Sequence, residues 1–103
     1  MKTIEKQENI IGYIEFADSF MSHFNTQGQS YLALEYASNK TLLDYLMSKQ
    51  GIVEEKWVRY WFLQVLKGLK HINKKNHAHL DIKCENILLD ENLNAKIGDF
   101  GFA

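Results

Sequence analysis

His79-Leu80-Asp81-Ile82-Lys83-Cys84-Glu85-Asn86, followed thirteen residues after Asn86 by Asp99-Phe100-Gly101, is the part of this chain that says most about its chemistry. Asp81, Asn86 and Asp99 stand at spacings suited to phosphoryl transfer. That reaction asks little covalent chemistry of a protein. It needs one group to orient the attacking hydroxyl and hard oxygen ligands to hold magnesium on the phosphates. Asp81 suits the first task, Asn86 and Asp99 the second. Each residue also has a plainer reading. A loop aspartate is usually a turn former or helix cap, an asparagine can bond its own loop, and a lone lysine such as Lys83 is a surface residue. The flanking Leu80 and Ile82 make a solvated turn an odd setting for Asp81, and the register of Asn86 with Asp99 favours a metal over a local bond.

Outward from this segment, Ile87 to Leu89 and Ala95 to Gly98 are short apolar runs separated by Asp90-Glu91-Asn92-Leu93-Asn94, the pattern of a tight hairpin. The candidate residues thus fall just before the first strand and just after the second, where a rigid pair of strands fixes them. Upstream, residues 54 to 73 read as a long helix, with Glu54 and Glu55 in the first turn and Lys67, Lys70 and His71 near the end, as the macrodipole prefers. On it Trp57, Val58, Trp61, Phe62, Val65, Leu66, Leu69 and Ile72 cover an arc of roughly 180°, wider than the ~100° stripe of a surface helix. Such a helix needs several neighbours. Thr41 with Asp44 three residues later marks a helix start, with Leu42, Leu43, Leu46 and Met47 as its apolar face and Gly51 as its stop. Residues 11 to 20 and 31 to 37 are strand-like, and Ser22 to Gln29 between them read as the loop of an antiparallel hairpin.

With 103 residues the chain holds one small domain, below the usual size of a self-sufficient core. Twelve Lys and Arg against 13 Asp and Glu leave a formal charge of -1, which offers no field for nucleic acid or an acidic membrane surface. No apolar stretch is long enough to span a bilayer, and residues 1 to 6 lack the apolar core of a secretory signal. The single cysteine, Cys84, cannot form an internal disulfide, so a reducing, intracellular and cytoplasmic setting is expected. His71, His77 and His79 with Cys84 lack metal-ligand spacing for zinc. Trp57, Tyr60, Trp61 and Phe62 are helically spaced, which makes them core rather than a base-stacking platform.

The run from His79 and the Asp-Phe-Gly tripeptide together resemble the eukaryotic protein kinases, whose catalytic loop is H-R-D-L-x-x-x-N and whose next metal-binding motif is D-F-G. The order of segments agrees from about Asn9 onward. Tyr31 to Tyr36 look like the strand entering the hinge between lobes, Thr41 to Lys49 like the helix after it, and the long helix like the one before the catalytic loop. The resemblance implies an α+β fragment of the bilobal kinase fold, with about residues 1–36 ending the small lobe and residues 37–103 starting the large lobe.

By the same resemblance, Asp81 is the catalytic aspartate, Lys83 steadies the transferring phosphate and points to Ser/Thr specificity, and Asn86 and Asp99 hold Mg2+. Glu35 and Ala37 present backbone groups to the adenine of ATP, Leu34 stands at the rear of the pocket and Leu88 forms its floor. His79, Phe100 and Ile14 look like internal packing residues of the family. The implied partners are a protein substrate with a Ser or Thr acceptor and the remainder of the kinase domain.

Leu80 replaces the motif arginine, so activity that does not depend on activation-loop phosphorylation through this position is expected. Cys84 stands where proline is usual. No G-x-G-x-x-G loop or V-A-I-K-like lysine is found, the partner glutamate would fall before Met1, and the chain stops at Ala103 before an A-P-E motif. Little catalysis is therefore expected of these residues alone. A non-catalytic kinase-like binding module and a truncated inactive product stay open as alternatives.

Overall fold

A computed structural model describes residues 7–17 and 30–98. Strand β1, Tyr13–Ala17, pairs antiparallel with β2, Tyr31–Leu34. Helices α1, Leu42–Ser48, and α2, Glu55–Lys74, follow, and then β3, Ile87–Leu89, pairs antiparallel with β4, Ala95–Ile97. The expected hairpins and helices are therefore present. Ser22 to Gln29, expected as the first hairpin's loop, lie outside the described residues.

The β3–β4 hairpin is short, but both of its outer edges are paired. On the β3 side the Asn39 N–H donates to the Leu89 carbonyl at 2.9 Å and the Leu89 N–H to Lys40 at 2.8 Å. On the β4 side the Ile11 N–H donates to Ile97 and the Ile97 N–H to Asn9, both at 2.9 Å. Asn9, almost wholly buried, adds a side-chain bond from Nδ2 to the Ala95 carbonyl at 2.9 Å. Four backbone segments thus form one band, which satisfies the polar groups that a two-stranded ribbon would leave open.

Helix α2 lies against this band. Trp61, Val65 and Ile72 join Ile10, Leu42, Ile87, Leu89, Ala95 and Ile97 in one buried cluster. Within the helix's apolar arc Gln64 is also buried, because it is fully engaged. Its Oε1 accepts from the Ala95 N–H at 2.7 Å and its Nε2 donates to Asn94 Oδ1 at 2.8 Å, while the Tyr60 hydroxyl bonds the same Asn94 oxygen. Trp61 Nε1 donates to the Leu93 carbonyl at 2.9 Å, and Tyr45 packs edge-on against the Trp61 ring. The helix thereby fixes the loop at the tip of the hairpin. Glu54 is its N-cap rather than a first-turn residue, and makes no side-chain cap bond.

Helix α1 begins with the expected capping box: Thr41 Oγ1 accepts from the Asp44 N–H and Asp44 Oδ2 accepts from the Thr41 N–H. Bonds from the Thr41 side chain and backbone hold the Asp44 carboxyl below its ordinary value. This contribution to stability is present above the ordinary carboxylate range and is lost as pH falls through the lowered folded value. Gly51 ends the helix together with Gln50: both are left-handed, with φ 77 and 55, and the Gln50 N–H bonds Met47 while the Gly51 N–H bonds Leu46. Asn76 ends α2 the same way with φ 59. Both helices thus close with a Schellman turn in which a polar residue occupies the position glycine usually takes.

Among the described residues several large apolar side chains are exposed, Tyr36, Met47 and Ile52 among them. Ile14, expected to pack internally, is 65% exposed, because a bulge between Tyr13 and Glu15 takes it out of the strand register. On α2, Val58, Phe62 and Leu66 of the wide apolar arc are exposed beside a groove of about 380 Å³ that Leu42, Leu46, Ile82, Cys84 and Ile87 also line.

Gly68 sets how closely α2 approaches the band. A Cβ there would meet the Asn9 carbonyl oxygen and Ile97 Cδ1, each at 2.8 Å. Gly68→Ala is expected to destabilise the fold by about 1–3 kcal/mol despite alanine's better helix propensity. Denaturant melts compared with Gln64→Ala, which unpairs the same interface, measure it; a gain in stability would show that the helix is free to retreat.

Candidate active site

The residues from His79 to Asn86 run as an irregular loop from the end of α2 into a 3-10 turn, Cys84–Asn86, that leads directly into β3. Irregular backbone here is held by specific bonds. His79 is buried, and its Nε2 lies 2.6 Å from the Gly98 carbonyl while Nδ1 accepts from the Asp81 N–H at 3.1 Å. An acceptor at Nδ1 requires the proton on Nε2, so the ring bridges the loop to the end of β4 in one neutral tautomer. The expected packing residue is therefore also a polar brace.

Asn86 is the second brace. Its Nδ2 donates to the Asp81 carbonyl at 2.8 Å and to Asp81 Oδ2 at 2.9 Å, while its own carbonyl accepts from the Gly98 N–H at 2.9 Å. With the backbone carbonyl and Oδ2 of Asp81 both accepting from the amide nitrogen, Asn86 Oδ1 points away from these two oxygens. Among the described residues no donor reaches it. A neutral hard oxygen held in one orientation suits a magnesium ligand.

Lys83 Nζ lies 3.6 Å from Asp81 Oδ1, with about half of the lysine side chain exposed. Screening makes that pair weak as a stabilising contact, and it leaves the ammonium accessible above the carboxylate. Asp81, Lys83 and Asn86 are thus brought together. Asp99 and Phe100 lie outside the described residues, but Gly98, the residue before Asp99, is bonded by both His79 and Asn86. Leu80 sits between the braced residues with φ 69 and 74% exposure, a left-handed conformation that costs a side-chain-bearing residue about 1–2 kcal/mol.

The residues expected to meet adenine form a second group. Leu34 ends β2 and is half exposed, Glu35 and Ala37 lie on the connection that follows, and Leu88 sits on β3. The Glu35 N–H donates to the Gly12 carbonyl at 2.7 Å. Among the described residues no acceptor takes the Ala37 N–H. The Glu35 side chain was not singled out by sequence. Its Oε1 meets Lys96 Nζ at 2.5 Å and its Oε2 accepts from the Gly12 N–H at 2.9 Å. Lys96 also escaped notice, although a lysine between Ala95 and Ile97 in a buried strand is a signal in itself, because a buried ammonium requires a partner.

His79→Leu keeps the volume of the ring but strands the Gly98 carbonyl and the Asp81 N–H. It should cost about 2–4 kcal/mol. Chemical denaturation reads this loss, and an unchanged midpoint would show that the two bonds are not formed.

The protein kinase domain family matches residues 1–103, the whole chain. Serine/threonine-protein kinase Nek5 of Mus musculus is 37% identical over 87 residues, which make up 82% of this chain and 14% of that protein. Serine/threonine-protein kinase Nek3 of Mus musculus is 34% identical over 86 residues, 82% of this chain and 17% of that protein. The maternal embryonic leucine zipper kinase of Danio rerio is 38% identical over 76 residues, 74% of this chain and 11% of that protein. The chain thus spans less than a fifth of the length of each of these relatives. The chain belongs to the protein kinases as an α+β portion of their bilobal fold.

Proposed function

We propose that these residues serve, within a longer chain, a protein kinase that transfers the γ-phosphate of ATP to Ser or Thr hydroxyls. The observation that carries this reading is the bond from Asn86 Nδ2 to Asp81 Oδ2, which holds one carboxylate oxygen while the other faces Lys83. A carboxylate restrained in this way is ready to accept a bond from a substrate hydroxyl and to orient its oxygen toward phosphorus. Lys83 steadies the transferring phosphate. Asn86 Oδ1, with Asp99, is the ligand set for Mg2+, which when bound offsets charge on the phosphates.

Adenine binds on the connection between β2 and α1, to the backbone of Glu35 and Ala37, with Leu34 behind it and Leu88 beneath. About residues 1–36 belong to the small lobe and residues 37–103 to the large lobe. The groove beside Val58, Phe62 and Leu66 is the docking face for the remainder of the kinase domain. The Ser/Thr assignment rests on Lys83 and on the two Nek relatives, whose names carry that activity. A reducing cytoplasm suits the single Cys84, and no helix among the described residues is long and apolar enough to cross a membrane. Neither nucleic acid nor membrane is a proposed partner.

In the full-length protein, Asp81→Asn should lower kcat by about 10²- to 10⁴-fold with the KM for ATP nearly unchanged. Steady-state phosphorylation of a Ser/Thr peptide measures it, and a variant as active as wild type would sink the proposal. The 103 residues alone should transfer little or no phosphate. Robust transfer by them, abolished by the same substitution, would overturn that expectation.

A further inference from the structure

The connection proposed to hold adenine has few backbone bonds of its own. The segments that flank it are tied to the hairpin, Ile11 before β1 to Ile97 on one side and Asn39 at its own far end to Leu89 on the other. Between them, the Glu35 N–H bond to Gly12 is the backbone bond that joins the connection to the preceding segment. What fixes this connection against the hairpin is the Glu35 side chain. One carboxylate oxygen takes the Lys96 ammonium from β4, and the other takes the Gly12 N–H. Lys96 is buried and stands directly opposite Leu88 across the hairpin, so both side chains project from the same face. A Cβ on Gly12 would approach Glu35 Oε2 to 3.0 Å, so the carboxylate is also held by close packing.

The geometry points to Lys96 as a positioning residue for the nucleotide: through Glu35 it holds the backbone of residues 35–37 in the orientation that receives adenine, at a fixed distance above Leu88. This inference rests on the kinase reading above. The pair is poorly explained as a stability device, because burying both charges costs about as much as their attraction returns, and an apolar pair of similar volume would hold the layers equally well. What the ion pair adds is direction. Two bonds from one carboxylate, one to the Gly12 backbone N–H and one to the Lys96 side chain on β4, allow the connection one orientation, where apolar packing would allow several.

The test uses the full-length protein and compares wild type with Lys96→Met, Glu35→Gln and the exchanged pair Lys96→Glu with Glu35→Lys. If the connection samples its receptive orientation only about a tenth of the time after Lys96→Met, the KM for ATP and the Kd for adenosine should both rise about tenfold. Because adenosine carries no phosphate, an equal change in both locates the effect at the adenine end. The kcat and the magnesium dependence should stay within about twofold, and the exchanged pair should recover part of the lost affinity.

A lowered melting temperature with adenosine affinity unchanged would assign the pair to stability alone and overturn the inference, as would a fall in kcat with unchanged adenosine binding. Should Lys96→Met fail to fold, Glu35→Gln, whose single acceptor oxygen cannot serve the Lys96 ammonium and the Gly12 N–H as the two carboxylate oxygens do, reads the same quantity. Parallel losses for ATP and adenosine support the inference, and unchanged affinities overturn it. Wild-type protein that binds no adenosine would remove the kinase reading itself, whereas wild-type binding matched by the variants removes only the role of Lys96.

Discussion

Everything described for this chain depends on the pairing of both outer edges of a hairpin only three residues wide on each strand. Ile87–Leu89 and Ala95–Ile97 could not stand alone in water. Backbone from residues 39–40 on one side and 9–11 on the other completes their hydrogen bonding, and α2 covers one face through Trp61, Gln64 and Val65. The consequence reaches the chemistry at once. Gly98, at the end of the second strand, and Asn86, just before the first, are bonded to each other, so the residues that flank the hairpin inherit its rigidity.

The loop that carries Asp81 uses that rigidity economically. His79 and Asn86 approach Asp81 from different sides, one through its backbone N–H and the other through its carbonyl and carboxylate, and both also bond Gly98. The side chain is therefore held in one orientation, which is what the proposed role asks of it, since positioning lowers a barrier without covalent participation. Leaving such a loop irregular is affordable only because its buried polar groups are matched in this way.

Local features were legible in the sequence and distant pairings were not. The spacing of Asp81, Lys83 and Asn86 is set within six residues, and the wide arc of α2 and the capping box of Thr41 and Asp44 are likewise properties of one element. Glu35 and Lys96 are 61 positions apart, and Asn9 reaches Ala95 across 86. Periodicity says nothing about such partners, although Lys96 in an apolar strand announces that one exists. The end of α1 shows a different limit. Gly51 reads as the stop, and the left-handed turn begins one residue earlier, at Gln50, and includes Gly51, because the Schellman geometry is set by which carbonyls the following N–H groups can reach and tolerates a side chain at modest cost. Ile14 shows a third, since the bulge shifts strand register between Tyr13 and Glu15, and periodicity alone does not reveal it.

Leu80 has a consequence for how this loop can change over time. The bonds that brace the loop run through its neighbours, His79 and Asp81, while its own side chain extends into solvent from a backbone conformation already fixed on both sides. Unbranched residues bear a similar conformational cost there, Asn and Asp a smaller one, and only β-branched residues and proline are strongly disfavoured, so for most side chains the chemistry beyond Cβ is decoupled from the folding of the loop. Position 80 is thus a site of mutational freedom one bond from a constrained aspartate. Charge, bulk or apolar surface can be exchanged there to suit whatever approaches from outside without disturbing the orientation of Asp81.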